Sequence, residues 1–373
     1  MNSVLLTIDL TKAVADEAIE RKDCVVVSYR ILPNGRFCAR TLTLLHPDPI
    51  IFKGFKSLTL AHTQQQSLLR LALEGISVYS PHTAVDAVPG GLGDWLADIV
   101  TGTLPDPEPS THTAQQGEAQ LPALEEDERR EKGAKDGAED HQGRKPSRPS
   151  LLSRTSTYSK PTYPKPQELD KSSDLHQSEL EHSRTVIVPV QGVEGFEEVG
   201  MGRLIKYKSP QPLTHLIERI AHGVGSPKGF PVAIPQNRQV EEIMISSVGI
   251  CAGSGHSILE QCDADLLFTG ELSHHDALRV TEEGKCVITL FHSNSERGFL
   301  SSVMQDKLTA VLKEEWQQVR EEVKAEIENK DYTDPGWEDA LNDEDVHVST
   351  SASDRDPYGV VILQSDQQGQ PLR

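Results

Sequence analysis

Apolar positions along the chain gather into two blocks separated by a long polar stretch. In the first block Val4–Ile8 reads as a strand, Lys12–Arg21 as a helix and Cys24–Tyr29 as a second, Val-rich strand. Leu68, Leu69, Leu71 and Ala72 recur at helical spacing within Gln64–Glu74. Gly75 is the expected helix stop, Ile76–Tyr79 a third strand and Asp94–Val100 a further helix. The second block repeats the style. Strands are expected at Thr185–Val190, near Leu204, and at Glu242–Gly249, Leu266–Thr269 and Cys286–Phe291. Helices are expected at Leu213–His222, from Ile258 to Cys262 and across His275–Glu283. Arg297–Glu328 reads as one long helix with heavily charged later turns, and Tyr358–Leu363 as a last strand. Strands alternating with helices argue for an α/β protein with mostly parallel sheets.

Composition sharpens this division. Residues 103–183 hold nine of the 23 prolines and no Val, Ile, Phe, Trp, Met or Cys, so nothing there repays the entropy of ordering. The chain therefore divides into an N-terminal α/β half at 1–102, a disordered linker at 103–183, a C-terminal α/β half at 184–330 and an acidic tail at 331–373. The 36% hydrophobic content averages two ordinary cores with that linker. The net charge is −20, half of it between Lys313 and Asp356, where 15 acidic residues face five basic ones. Such acidity argues against direct nucleic-acid binding and against an anionic membrane surface. Five cysteines form no CxxC pair, which fits a reduced intracellular setting, the cytoplasm first, with the nucleus or mitochondrion as alternatives. No 18-residue apolar run marks a membrane span, and the start lacks the features of a signal peptide. A chain that opens in mid-strand is read as lacking its true N-terminus.

The candidate chemistry sits where strands end. Ile76-Ser-Val-Tyr-Ser-Pro-His82-Thr-Ala-Val-Asp86 runs from a strand to a His and then a carboxylate four residues on. Cys286-Val-Ile-Thr-Leu-Phe-His292-Ser-Asn-Ser-Glu296 repeats the arrangement. Ligands of open α/β sheets gather beyond the carboxyl ends of strands, where imidazole and carboxylate can reach one metal ion. Spacing alone is weak: 14 His and 57 acidic residues give about two such pairs by chance, and three occur, His256/Glu260 being the third. The plainer alternative makes His82 and His292 ordinary polar residues at strand ends. His46, before Pro47, is a further candidate ligand or a simple turn residue. His274 and His275 are adjacent, so on a helix they point about 100° apart and rarely share an ion. Ser273 as an N-cap is the better reading there. Gly253-Ser254-Gly255 between strand and helix offers backbone N–H groups to an anion, with a tight turn as the alternative.

At these residues the sequence resembles the NGG-one-interacting-factor-three family, also labelled GTP cyclohydrolase I type 2, and its eukaryotic, fungal branch in particular. The resemblance rests on Tyr79-Ser-Pro-His-Thr-Ala-Val-Asp-Ala87, Gly90-Gly-Leu-Gly-Asp-Trp-Leu-Ala97 and Cys251-Ala-Gly-Ser-Gly255. Asp265-Leu-Leu-Phe-Thr-Gly-Glu-Leu-Ser-His-His-Asp276 and His292-Ser-Asn-Ser-Glu-Arg-Gly-Phe299 extend it, with smaller matches at Val199–Arg203 and Asp354–Pro357. It implies two α/β halves sharing a central cleft that holds two divalent metal ions, in a toroidal hexamer. The implied ligands are His46, His82, Asp86, His292 and Glu296, with Glu296 as the bridge. Mixed imidazole and carboxylate donors suit Zn, Mn, Fe, Co or Ni alike.

Two functions follow from that resemblance. One is a metal-dependent hydrolase acting on a nucleotide or phosphoester, with His275 as a proton shuttle. The other is a non-catalytic metal-binding or interaction protein with a transcription-related partner. The chain departs from the family at its start, where an N-terminal helix and a Trp-Asp-Asn segment are missing. It departs again at Arg30–Leu45: removing these residues joins Val25-Val-Val-Ser-Tyr29 to His46-Pro47 and restores a Tyr-His-Pro pattern. They are read as a retained intron or a gene-model error. Sequencing of mature message is expected to find their coding bases spliced out, and their persistence there overturns the idea.

Overall fold

Local sequence sets most element boundaries in the computed structural model, which describes residues 2–30, 59–102, 179–190, 198–329 and 346–355. Residues 31–58, including His46, most of the linker and the strand expected at 358–363 lie outside the described residues. The first half runs β1 (Asn2–Asp9), α1 (Lys12–Arg21), β2 (Val25–Arg30), α2 (Thr63–Leu73), β3 (Ser77–Tyr79), α3 (Thr83–Ala87) and α4 (Leu92–Thr101). Thr11 caps α1 by accepting the Val14 N–H at 3.3 Å. Gly75, at φ +74°, turns the chain after α2 so that the Ile76 N–H reaches the Leu71 carbonyl at 2.9 Å.

The second half continues with β4 (His182–Pro189), β5 (Gly200–Pro212), α5 (Leu213–Gly223), β6 (Val232–Ala233), β7 (Met244–Ser254) and α6 (His256–Leu259). β8 (Leu266–Glu271), α7 (His274–Glu282), β9 (Cys286–Thr289), α8 (Asn294–Phe299), α9 (Gln305–Asn329) and β10 (Val346–Thr350) complete it. Ser273 caps α7 as expected, its hydroxyl accepting the Asp276 N–H at 3.2 Å.

The class is α/β, with three differences from the expected detail. The first sheet, β10-β1-β2-β3, is parallel throughout, but the second, β4-β5-β7-β8-β9-β6, is parallel only from β7 to β9. Ten residues separate β4 from β5, fewer than a helical crossover needs, so the two pair antiparallel. The long C-terminal helix is interrupted by a π-turn at Leu300–Met304. The turn joins α8, buried from Ser295 to Phe299, to α9, whose Leu308, Leu312 and Trp316 lie against the core. Third, the tail supplies β10 at the edge of β1, although its surroundings are acidic.

Tertiary anchors place that tail strand. The Ser351 N–H donates to Leu6 O at 2.8 Å, and the Glu17 carboxylate accepts from the Ser351 hydroxyl (2.7 Å) and the Ser353 N–H (2.9 Å). Asp354 accepts the Ile8 N–H at 2.7 Å and pairs with Arg297 of α8 at 3.1 Å. Among the described residues no helix is long and apolar enough to cross a membrane.

One apolar core joins the two sheets. Leu6, Ile8 and Val27 of the first meet Ile205, Val248, Ile250, Phe268 and Ile288 of the second, with Leu92, Leu96 and Val100 of α4 among them. Within this junction Arg203 of β5 is only 2% exposed. Its Nε and Nη2 donate to the two oxygens of Asp94 at 2.7 and 3.1 Å, and its Nη1 to the carbonyls of Gly200 (2.7 Å) and Gly202 (3.0 Å). Burial by itself would raise the Asp94 carboxyl, but the Arg203 hydrogen bond and charge and the Gly90 N–H hold it below its ordinary value. Asp94→Ala strands a buried guanidinium, and we expect urea denaturation to report a loss of about 3–5 kcal/mol.

Candidate metal centre

His82 and His292 each stand at a strained exit from a strand. His82 follows β3 at φ +30°, and Phe291, just before His292, follows β9 at φ +65°. Side chains with a Cβ rarely adopt such angles, and residues held there cluster at functional sites. After each bend a short helix begins, so the acid four residues beyond the His comes back to the same end of the sheet. Asp86 lies in α3 and Glu296 in α8.

In the second half the pair meets directly. His292 Nε2 lies 3.6 Å from Glu296 Oε1, and the Glu296 side chain is 2% exposed. Gly253 makes room for them: a Cβ there would lie 2.8 Å from both Glu296 Oε1 and His292 Nε2. The Gly253 N–H donates to the Ser295 hydroxyl at 2.8 Å, and its carbonyl accepts from Thr269 Oγ1 at 3.2 Å. On its far side the His292 ring meets Glu271, the last residue of β8, through Nδ1.

The first half is arranged through Tyr29, at the end of β2. Its hydroxyl donates to Asp86 Oδ1, and its ring lies 5.1 Å from the His82 ring. His82 Nδ1 lies 3.1 Å from the Thr83 hydroxyl. The two halves meet at this end of the sheets. Ser293, next to His292, donates to Asp9 at the end of β1 at 2.9 Å. Asp86 and Glu296 also act on one thiol: burial first, and then these two negative charges, push Cys251 far above its ordinary pKa.

The donor set suits a divalent transition-metal ion in kind, and the Gly253 hollow lies at the His292–Glu296 pair. Among the described residues, however, no group of three or more His, Cys, Asp and Glu side chains converges, so the donors come as pairs. His46 lies outside the described residues. His275 stands exposed in the first turn of α7, its ring 5.5 Å from that of His274.

The anion cradle expected at Gly253, Ser254 and Gly255 has one of its three N–H groups already committed. The Gly253 N–H is taken by Ser295, Ser254 lies in β7 opposite Glu271, and α6 behind them has only four residues. Gly253 of that motif provides close packing at the carboxylate–imidazole pair, whereas Gly255 packs against Thr269 and Leu259. Tyr29 and Glu271 were not singled out in the sequence as partners of these groups, though Glu271 ends β8 and Tyr29 is the last but one residue of β2.

The sequence model of the family described as Duf34/NIF3 (NGG1p interacting factor 3) matches residues 39–330. The Schizosaccharomyces pombe protein named Protein NIF3 homolog is 33% identical over 310 residues, which cover 83% of this chain and 76% of that one. NGG1-interacting factor 3 of Saccharomyces cerevisiae is 28% identical over 309 residues, covering 82% and 74%. Among solved structures, a Bacillus cereus protein related to NIF3 superposes with a TM-score of 0.51 at 16% identity, over 96% of this chain and 89% of that one. At that identity it bears on the fold alone.

Gly253→Ala places a methyl group against His292 and Glu296 at a left-handed backbone position. It is expected to lower stability by about 1–2 kcal/mol in urea titration. It is also expected to shift the His292 ring resonances, and unchanged resonances would contradict the packing described.

Proposed function

The chain belongs to the Duf34/NIF3 family, and on that premise we propose that it is a di-metal-binding protein acting as a metal-dependent hydrolase on a nucleotide or phosphoester. The observation that carries this reading is the His292–Glu296 pair, 3.6 Å apart beside the side-chain-free Gly253. His292, Glu296, His82 and Asp86 would hold the ions, with His46 joining them by resemblance. When bound, two such ions lower the pKa of a water and supply a nucleophile at neutral pH.

The chain's own residues have distinct tasks. Tyr29 directs the Asp86 carboxylate through one oxygen. Burial of Glu296 keeps its carboxylate away from bulk water and near the imidazole. His275, exposed at the start of α7, is the residue for moving a proton between the site and solvent. Assembly into a hexamer and residence in the cytoplasm belong to the same proposal.

A second reading has its own support. The Saccharomyces cerevisiae relative is named for its interaction with NGG1. A protein partner in a transcription-related role is therefore the alternative, with metal binding serving structure.

Metal analysis of purified protein, followed by a panel of nucleotides and phosphoesters with Mn²⁺ or Zn²⁺, separates the two. The hydrolase reading expects bound divalent metal that His292→Ala lowers by at least about tenfold in affinity, and turnover on at least one substrate. Bound metal without turnover favours the partner reading, and protein that binds no metal overturns the metal centre.

A further inference from the structure

We propose that Glu271 is a positioning residue that holds the His292 imidazole in its Nδ1–H tautomer and so turns Nε2 toward Glu296. The inference rests on the metal-centre reading for its purpose, but not for its geometry. Glu271 Oε1 meets His292 Nδ1. A carboxylate only accepts hydrogen bonds, so Nδ1 is the protonated nitrogen, and in the neutral ring Nε2 then carries the lone pair. That nitrogen is the one 3.6 Å from Glu296 Oε1 and next to the Gly253 hollow.

The backbone holds Glu271 in place. It closes β8 in register with Ser254 of β7, one residue past Gly253. Gly270 before it is packed so closely that a Cβ would lie 2.6 Å from the Gly253 carbonyl and 2.7 Å from the Ser295 hydroxyl. The carboxylate is thus set by the same close approach of β7, β8 and α8 that forms the hollow. Its side chain is 48% exposed, so its removal leaves the core intact. Imidazoles that ligate metals characteristically donate their second ring N–H to such a carboxylate, which fixes ring orientation and raises basicity.

The test uses the full chain and two variants, Glu271→Ala and Glu271→Gln. Ring-nitrogen NMR shifts of neutral His292, recorded without metal, are expected to report Nδ1–H in the wild type. Glu271→Ala moves part of the population to Nε2–H, whereas Glu271→Gln, whose amide oxygen can accept the same hydrogen, retains Nδ1–H. Zn²⁺ affinity, read by competition with a chromophoric chelator, is expected to fall roughly 10–100-fold in Glu271→Ala and to recover largely in Glu271→Gln. An unchanged tautomer in Glu271→Ala overturns the proposal, and so does an unchanged Zn²⁺ affinity in a protein whose wild type binds the ion. If the wild type binds no Zn²⁺, the metal-free tautomer alone decides the role of Glu271, and the metal-centre reading stands or falls on the metal analysis of the purified protein.

Discussion

A guanidinium buried to 2% exposure is stable only when its donors are met, and the charged partner of Arg203 comes from a segment 109 residues earlier in the chain. Asp94 receives two of its N–H groups, while Gly200 and Gly202 receive others. Arg184 of β4 reaches Asp94 as well, at 3.2 Å. These bonds tie the start of α4, just beyond the helix that carries Asp86, to β5 of the second sheet. The apolar core between the sheets supplies most of the burial, but a slippery apolar contact tolerates many alignments. The directional pair around Asp94 admits few, and the separation of the two candidate His–carboxylate pairs depends on that alignment.

The two halves use one local device. A strand ends, one residue takes a positive φ, and a short helix returns a carboxylate toward the strand end. His82 and Phe291 carry the strain in the two copies. The supporting partners differ, however. In the first half the carboxylate is the oriented group, held by the Tyr29 phenol. In the second the imidazole is held, by Glu271. The halves are therefore similar in backbone and different in the partners that these groups meet.

Much of the fold was legible because apolar periodicity reports local structure. Lys12–Arg21 forms α1 with the expected bounds, and Gly75 closes α2 as a left-handed residue. The antiparallel part of the second sheet was legible only in the short link between β4 and β5, because alternation along the strands does not mark their direction. β10 was hidden for another reason. Val346–Thr350 is short and lies among acids, and it is a strand because β1, Glu17 and Arg297 lie beside it. The π-turn at Leu300–Met304 was likewise invisible within a continuous helical pattern.

The site divides along the same line. The sequence by itself determined the paired units, His82 with Asp86 and His292 with Glu296, because four-residue spacing after a strand end is a local property. It also placed Gly253 beside the chemistry, although as an anion cradle. Only the tertiary structure decided that Gly253 faces His292 and Glu296, that its N–H belongs to Ser295, and that Tyr29 and Glu271 orient one donor in each half. The physical reason is that spacing along a chain constrains neighbours a few residues apart. Which side chain lies behind a ligand, by contrast, depends on strand order and register, and so on the packing of the sheets.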